Sequence, residues 1–92
     1  NNLTPSELYL SQNYPNPFNP STTINFSVPK LSFISISVYD VLGNEIAILV
    51  NEEKPAGTFE LTWNAENLPS GIYFYKLKTG NFIDTKKMIL LR

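Results

Sequence analysis

The sequence offers few of the side chains that carry catalysis. It contains no cysteine and no histidine, which removes the thiol nucleophile, thiolate metal ligands, the commonest general base and the usual pH switch. Without an imidazole, a serine triad of the usual kind cannot form. The only adjacent carboxylates, Glu52 and Glu53, point to opposite sides of an extended chain. We therefore expect no active site, no metal centre and no cofactor.

A second polar group, formed by Asp40, Asn44 and Glu45, surrounds a glycine turn. Oxygen ligands of this kind suit calcium, but these are too few and lack the EF-hand spacing. Asp and Asn at such turns usually hydrogen-bond to the backbone instead. The group is therefore interpreted as a structural turn.

Three aromatic residues, Trp63, Tyr73 and Tyr75, are candidates for stacking against a sugar. Trp63, however, shares one face of a predicted strand with Phe59 and Leu61. An apolar face of this kind favours a position in the core. Carbohydrate binding remains an alternative function for these residues.

Charge is unevenly distributed along the chain. The formal total is −1, but the segment from Lys76 onward has a balance of +4 and residues 1–75 a balance of −5. The near-neutral total argues against nucleic acid as a partner. Within the basic end, Lys86 and Lys87 are either a recognition element or a charged strand edge that discourages pairing.

The elements that position these residues are predicted to be strands. A length of 92 residues is that of one domain. Strand patterns recur about every 8–12 residues without a helical pattern of useful length, at a short first strand 8–10 and at 22–28, 33–39, 45–50, 58–64, 72–77 and 82–91. Half-buried strands form sheets that must cover each other. The pattern predicts an all-β protein, an antiparallel immunoglobulin/fibronectin-III-like β-sandwich of about seven strands.

Connections between the strands carry further signals. Residues 33–50 are predicted to form a hairpin and residues 51–57 a polar loop. The sequence LPSGIY at 68–73 is similar to the corner before strand F of such sandwiches, where a tyrosine hydroxyl binds an upstream backbone group. Three prolines within residues 15–20 exclude a helix and a central strand. This segment is predicted to be ordered and polyproline-like, held by Tyr14 and Phe18.

The first residues resemble a linker, so we expect this sequence to be a piece of a longer protein. Residues 1–7 are expected to be a linker remnant and residues 8–92 a single domain. The first residues lack the basic and apolar regions of a signal peptide. The apolar runs have about five residues, where a membrane-spanning helix needs about 20. We expect either a cytoplasmic protein or a fragment of a larger one.

Residues 13–24 (NYPNPFNPSTTI) resemble the opening motif of the type A C-terminal sorting domain of the type IX (Por) secretion system. Further blocks follow in the order of that family: VYDVLG at 38–43, AG at 56–57, Trp63, LPSGIYFY at 68–75 and TKKMILLR at 85–92. The resemblance covers roughly residues 8–92. Its first and last blocks are specific, whereas the middle blocks are common to related Ig-like domains.

The resemblance implies a sandwich placed last in a secreted or cell-surface protein of a Gram-negative bacterium. Such a module carries its cargo through the periplasm and outer membrane, and its implied partners are an outer-membrane translocon and a sortase-like surface protease. The family's recognition features map onto Gly71, Tyr73, Gly80, Lys86, Lys87, Met88, Leu90 and Arg92.

Two other functions remain open from the residues. One is a carbohydrate-binding module of a secreted glycoside hydrolase, based on the three aromatic residues named above. The other is a structural spacer whose exposed terminal strand pairs weakly with a second copy of the chain.

Overall fold

The computed structural model describes residues 7–92, which form seven strands in two antiparallel sheets. The strands are β1 (Tyr9–Leu10), β2 (Ser21–Val28), β3 (Ser32–Tyr39), β4 (Glu45–Lys54), β5 (Gly57–Asn64), β6 (Gly71–Thr79) and β7 (Phe82–Leu90). These residues contain no helix, and hence none that could cross a membrane. The predicted all-β sandwich is confirmed. The linker expected at residues 1–7 lies, except for its last residue, outside the described part of the chain.

Strand order follows the immunoglobulin pattern with one strand moved. One sheet has the order β1-β2-β5 and the other β4-β3-β6-β7. The fourth strand pairs with the third, as strand C′ does in variable-type domains, and not with the sheet that holds strands A, B and E. The predicted hairpin over residues 33–50 is the pair β3–β4. β6 lies between β3 and β7, the central position that was predicted, but only one of its faces is in the core, and Ile72 on the other face is 41% exposed.

The core lies between the two sheets and follows the alternation of the sequence. The residues predicted to point inward are buried: Ile24, Phe26 and Val28 in β2, and Ile34, Ile36 and Val38 in β3. From the other strands, the core receives Trp63, Tyr73, Tyr75, Leu77, Met88 and Leu90. Inward-facing side chains of both sheets therefore cover one another, as a two-layer sandwich requires.

β4 is longer than its apolar pattern predicts. It extends to Lys54, so residues 51–54, expected in a loop, pair with residues 32–35 of β3. Glu52 and Glu53 consequently lie in a strand. The prediction was wrong because β4 is an edge strand, whose polar end remains solvated and lacks apolar alternation. Two register shifts against β3 give this edge the irregularity that discourages pairing with another chain.

Candidate functional site

The terminal strand β7 divides the predicted recognition residues between its two faces. Met88 and Leu90 point into the core and are fully buried. Lys87 is exposed on the opposite face, where it pairs with Phe74 of β6. Lys86 is half-buried and pairs with the inward-facing Tyr75. Because successive strand residues alternate, the two adjacent lysines point to opposite sides of the sheet.

The outer edge of β7 is covered over its second half by the proline segment, defined as residues 13–20. The backbone N–H of Phe18 donates to the Ile89 carbonyl at 2.9 Å, and the Leu91 N–H donates to the Phe18 carbonyl at 3.0 Å. The Ile89 N–H donates to Asn16 Oδ1 at 2.9 Å. These bonds satisfy backbone groups that a sheet edge would otherwise present to another strand.

A fourth bond extends this cover by two residues. Gln12 Nε2 donates to the Lys87 carbonyl at 2.7 Å. Sequence reasoning did not find this contact, because about 75 residues separate the two sides. For the neighbouring bond from the Ile89 N–H, the available signal was Asn16 before a proline, since an asparagine side chain can hydrogen-bond to an unpaired backbone N–H.

The Phe18 ring anchors the proline segment in the core. Phe18 is 1% exposed, and its ring centroid lies 5.9 Å from that of Trp63. The buried Asn13 donates from Nδ2 to Thr22 Oγ1 at 2.9 Å and to the Pro15 carbonyl at 3.1 Å. The expectation of an ordered segment held by Phe18 is therefore confirmed.

The Tyr14 side chain does not anchor this segment, contrary to the prediction. Its side chain is 79% exposed, while its backbone exchanges two hydrogen bonds with Thr23 at 2.9 and 2.8 Å. This backbone bridge turns the ring toward solvent. The bridge joins the segment to β2, in which Thr23 lies.

The corner before β6 has the predicted tyrosine bond. The Tyr73 hydroxyl donates to the Pro69 carbonyl at 2.7 Å. Arg92 binds the same corner, donating from Nη1 to the carbonyls of Ala65 at 2.9 Å and Leu68 at 3.0 Å. Its backbone N–H donates to Ser70 Oγ at 2.9 Å. The segment after β7 is therefore held in a defined position.

The two predicted glycines mark the two ends of β6. Gly71 begins the strand with φ of 156°, and Gly80 has φ of 55° in the turn to β7. A Cβ at either position would meet no atom within 4 Å, so backbone conformation and not space favours glycine. Nine residues of strand place the glycines roughly 30 Å apart. The predicted residues therefore do not form one contact surface.

The aromatic residues proposed for sugar stacking are core residues. Trp63 is 9% exposed, and Tyr73 and Tyr75 are also buried. Trp63 meets Tyr73 edge-on, with ring centroids 6.4 Å apart. A stacking platform needs an exposed ring face, and these rings do not offer one.

In the glycine turn after β3, the Asp40 carboxylate hydrogen-bonds to backbone N–H groups of the same turn. Asp40 Oδ1 accepts hydrogen bonds from the backbone N–H of Asn44 and of Leu42, both at 2.9 Å. The bond from Asn44 is the largest cause that lowers the pKa of the Asp40 carboxyl below its ordinary value. Residues 7–92 contain no group of three or more acidic, histidine or cysteine side chains able to hold a metal ion.

Tyr75 connects the centre of the core to the chain before the proline segment. Its hydroxyl donates to the Ser11 carbonyl at 2.6 Å, and burial raises the pKa of this phenol to about 12. Between pH 10, the ordinary pKa, and pH 12, the unfolded state loses the proton while the folded state retains it. We expect the free energy of unfolding to fall across this range.

The measurement is urea denaturation of the wild type and of Tyr75→Phe at a series of alkaline pH values. The substitution removes a hydrogen bond at every pH, so the slopes are compared and not the absolute values. Wild type should fall more steeply than Tyr75→Phe, since lysine titration is common to both. Parallel slopes would contradict a raised pKa.

Comparison with known proteins yields one match. No curated protein and no solved structure matches the chain. The family model described as secretion system C-terminal sorting domain matches residues 12–91, which is most of the chain and includes both the proline segment and β7. The chain therefore belongs to the C-terminal sorting domain family of the type IX secretion system.

Proposed function

We propose that this domain is a non-catalytic sorting module that directs the protein to which it is fused across the periplasm and outer membrane. Membership of the family implies a secreted or cell-surface protein that interacts with the type IX machinery. The finer proposal is that an outer-membrane translocon recognises the module and that a sortase-like surface protease then removes it. Residues 1–7 would be the linker to the cargo and residues 8–92 the single folded domain.

One observation carries this proposal. The two family-specific blocks, at opposite ends of the chain, meet in the structure: the backbone of Phe18 pairs with Ile89 and Leu91 on either side of it. The contact serves folding, since it buries Phe18 against Trp63, and it also fixes the position of the last block. A sorting signal does benefit, because the terminal strand is presented in one fixed register.

The uncovered half of β7 is the proposed site of recognition. By alternation along the strand, Ile83 and Thr85 direct their backbone groups to the same edge as Lys87 and Ile89. Within residues 7–92, no hydrogen bond outside the β6–β7 ladder reaches these two residues. A strand of the receptor can add here, with Lys86 and Lys87 on opposite faces of the junction. Weak pairing with a second copy would use the same edge.

The test is export of a secreted reporter fused to this chain in a host with the secretion system. Deletion of residues 83–92 is unsuitable, because Met88 and Leu90 belong to the core. Lys86→Glu/Lys87→Glu should instead reduce export about tenfold, the factor given by about 1.4 kcal/mol of binding free energy. The charge control is Lys30→Glu/Lys54→Glu, which changes the net charge equally, and Lys30→Glu alone is measured beside it because Lys54 is ion-paired to Glu52.

The outcomes test the sorting function and the role of the two lysines separately. A wild-type fusion that remains in the periplasm would show that the chain is not a sufficient sorting module. A wild-type fusion that is exported, together with an equally exported Lys86→Glu/Lys87→Glu variant, would remove these lysines from recognition. Circular dichroism of each variant establishes that it is folded.

A further inference from the structure

The outer face of the four-stranded sheet is unusually apolar for a surface turned away from the core. One solvated face of an antiparallel sheet is ordinarily polar. Here Phe33, Ile48 and Ile83 are each more than half exposed. The pairing places six apolar side chains on this face: Phe33, Ile48, Ile72, Phe74, Ile83 and Ile89.

Three lysines lie among these apolar side chains. Lys76 and Lys78 project from β6, and Lys87 projects from β7 beside them. Within residues 7–92 none of the three forms an ion pair, and the one ion pair found there joins Lys54 to Glu52 at 2.8 Å. The same face also carries Glu45 and Glu53 on β4, opposite Tyr39 and Phe33. Its cations are therefore grouped on β6 and β7, while its acidic side chains lie along the β4 edge.

The centre of this face carries small side chains. Ser35 and Ser37 of β3 lie directly opposite Lys78 and Lys76. The Lys76 ammonium lies 4.9 Å from the centre of the Tyr39 ring, a cation–π contact that keeps the side chain against the sheet. Ser37 is 5% exposed, so a partner would contact the side chains around this centre and not the backbone of β3.

We propose that the outer face of the four-stranded sheet is a docking surface for an acidic protein segment that also carries apolar side chains. The lysines select carboxylates, and the exposed isoleucines and Phe33 require apolar groups of the partner. Lys76 and Lys78, two residues apart, are separated by roughly 7 Å, which matches alternate side chains of an extended strand. This proposal rests on the proposed sorting function, because the partner would belong to the secretion machinery.

A polyanion fits this surface less well. Nucleic acid, an anionic glycan or a lipid headgroup would neutralise the lysines but leave the apolar side chains without a partner. Surfaces that bind such polymers are densely basic, whereas this protein has a pI of about 5.2. The mixture of isolated cations and apolar area indicates a protein.

The test reverses the charge of two lysines that lie outside the proposed edge site. Lys76→Glu/Lys78→Glu is compared with Lys30→Glu/Lys54→Glu in the reporter-export assay. Lys30 and Lys78 are both exposed, and Lys54 and Lys76 each stack 4.9 Å from an aromatic ring. Because Lys54→Glu also breaks the ion pair to Glu52, Lys78→Glu against Lys30→Glu is measured as the closer match. We expect the outer-face pair to reduce export about tenfold and the control pair to change it less than about twofold.

Each export result has a defined meaning. If the wild-type fusion is not exported, the sorting function fails. If it is exported and the outer-face pair is exported equally, the docking surface alone is overturned. Should Lys76→Glu/Lys78→Glu prove unfolded by circular dichroism, Lys78→Glu alone, measured against Lys30→Glu, decides the same question with exposed residues only.

A binding measurement identifies the class of partner. Amide resonances of the ¹⁵N-labelled chain are followed by NMR during addition of a synthetic peptide of alternating glutamate and leucine. We expect shifts at Ser35, Ser37, Lys76 and Lys78 that weaken with salt and in Lys76→Glu/Lys78→Glu. A stronger response to heparin or to phosphatidylglycerol vesicles would overturn the protein assignment. Shifts that appear on raising the protein concentration alone would assign the face to a second copy and overturn it equally.

Discussion

Replacing Phe18 with alanine is expected to lower the free energy of unfolding by about 3–5 kcal/mol, the range for truncating a buried phenylalanine. Phe18 is 1% exposed and packs against Trp63. The loss is large against a typical total stability of about 5–15 kcal/mol. Urea denaturation followed by circular dichroism measures it, and Trp63 fluorescence reports the same region locally.

Tyr14→Ala is the control for this substitution. It removes an aromatic ring from the same proline segment, but that ring is 79% exposed. We expect a change within about 0.5 kcal/mol, as for other surface positions. Equal effects of Phe18→Ala and Tyr14→Ala would contradict the placement of Phe18 in the core.

Phe18→Ala has a second, local consequence at the terminal strand. The Leu91 amide donates to the Phe18 carbonyl and the Ile89 amide to Asn16. Loosening the proline segment should expose both amides, so their hydrogen exchange should accelerate more than that of β2 and β3 amides. This result would show that the first family block stabilises the last one.

Much of the fold follows from the sequence because alternation is a local property. Ile24, Phe26 and Val28 point inward simply because every second residue of a strand faces one side. The bond of Tyr73 to Pro69 was likewise predictable, since the corner and the tyrosine are only four residues apart. Wherever the physical cause lies within one element or turn, the residues indicate the structure.

The candidate site was harder to predict because its contacts are distant in sequence. No local pattern shows that residues 16–18 pair with residues 89–91. Nor does the motif TKKMILLR show which side chains face the core until its strand is paired with β6. Met88 and Leu90 therefore resembled parts of a signal, although the structure places them in the interior.

The second large effect concerns this interior position. Leu90→Ala should lower the free energy of unfolding by about 2–5 kcal/mol, because it leaves a cavity beneath the corner before β6. Leu91 is chemically identical, adjacent and 60% exposed. Leu91→Ala should change stability by no more than about 0.5 kcal/mol. Denaturation of both variants in urea measures the difference, and a smaller loss for Leu90 than for Leu91 would contradict the structure.

Export of these two variants separates folding from recognition. If Leu90 acts only as a core residue, Leu90→Ala fusions should be exported poorly at temperatures where the domain is largely unfolded. Their export should recover at lower temperatures where circular dichroism shows them folded. A folded Leu90→Ala domain that is still retained would mean that the machinery reads this side chain directly. Since Leu90 is fully buried, β7 would then have to leave the sandwich during recognition, and the proline segment would be the contact that must open first.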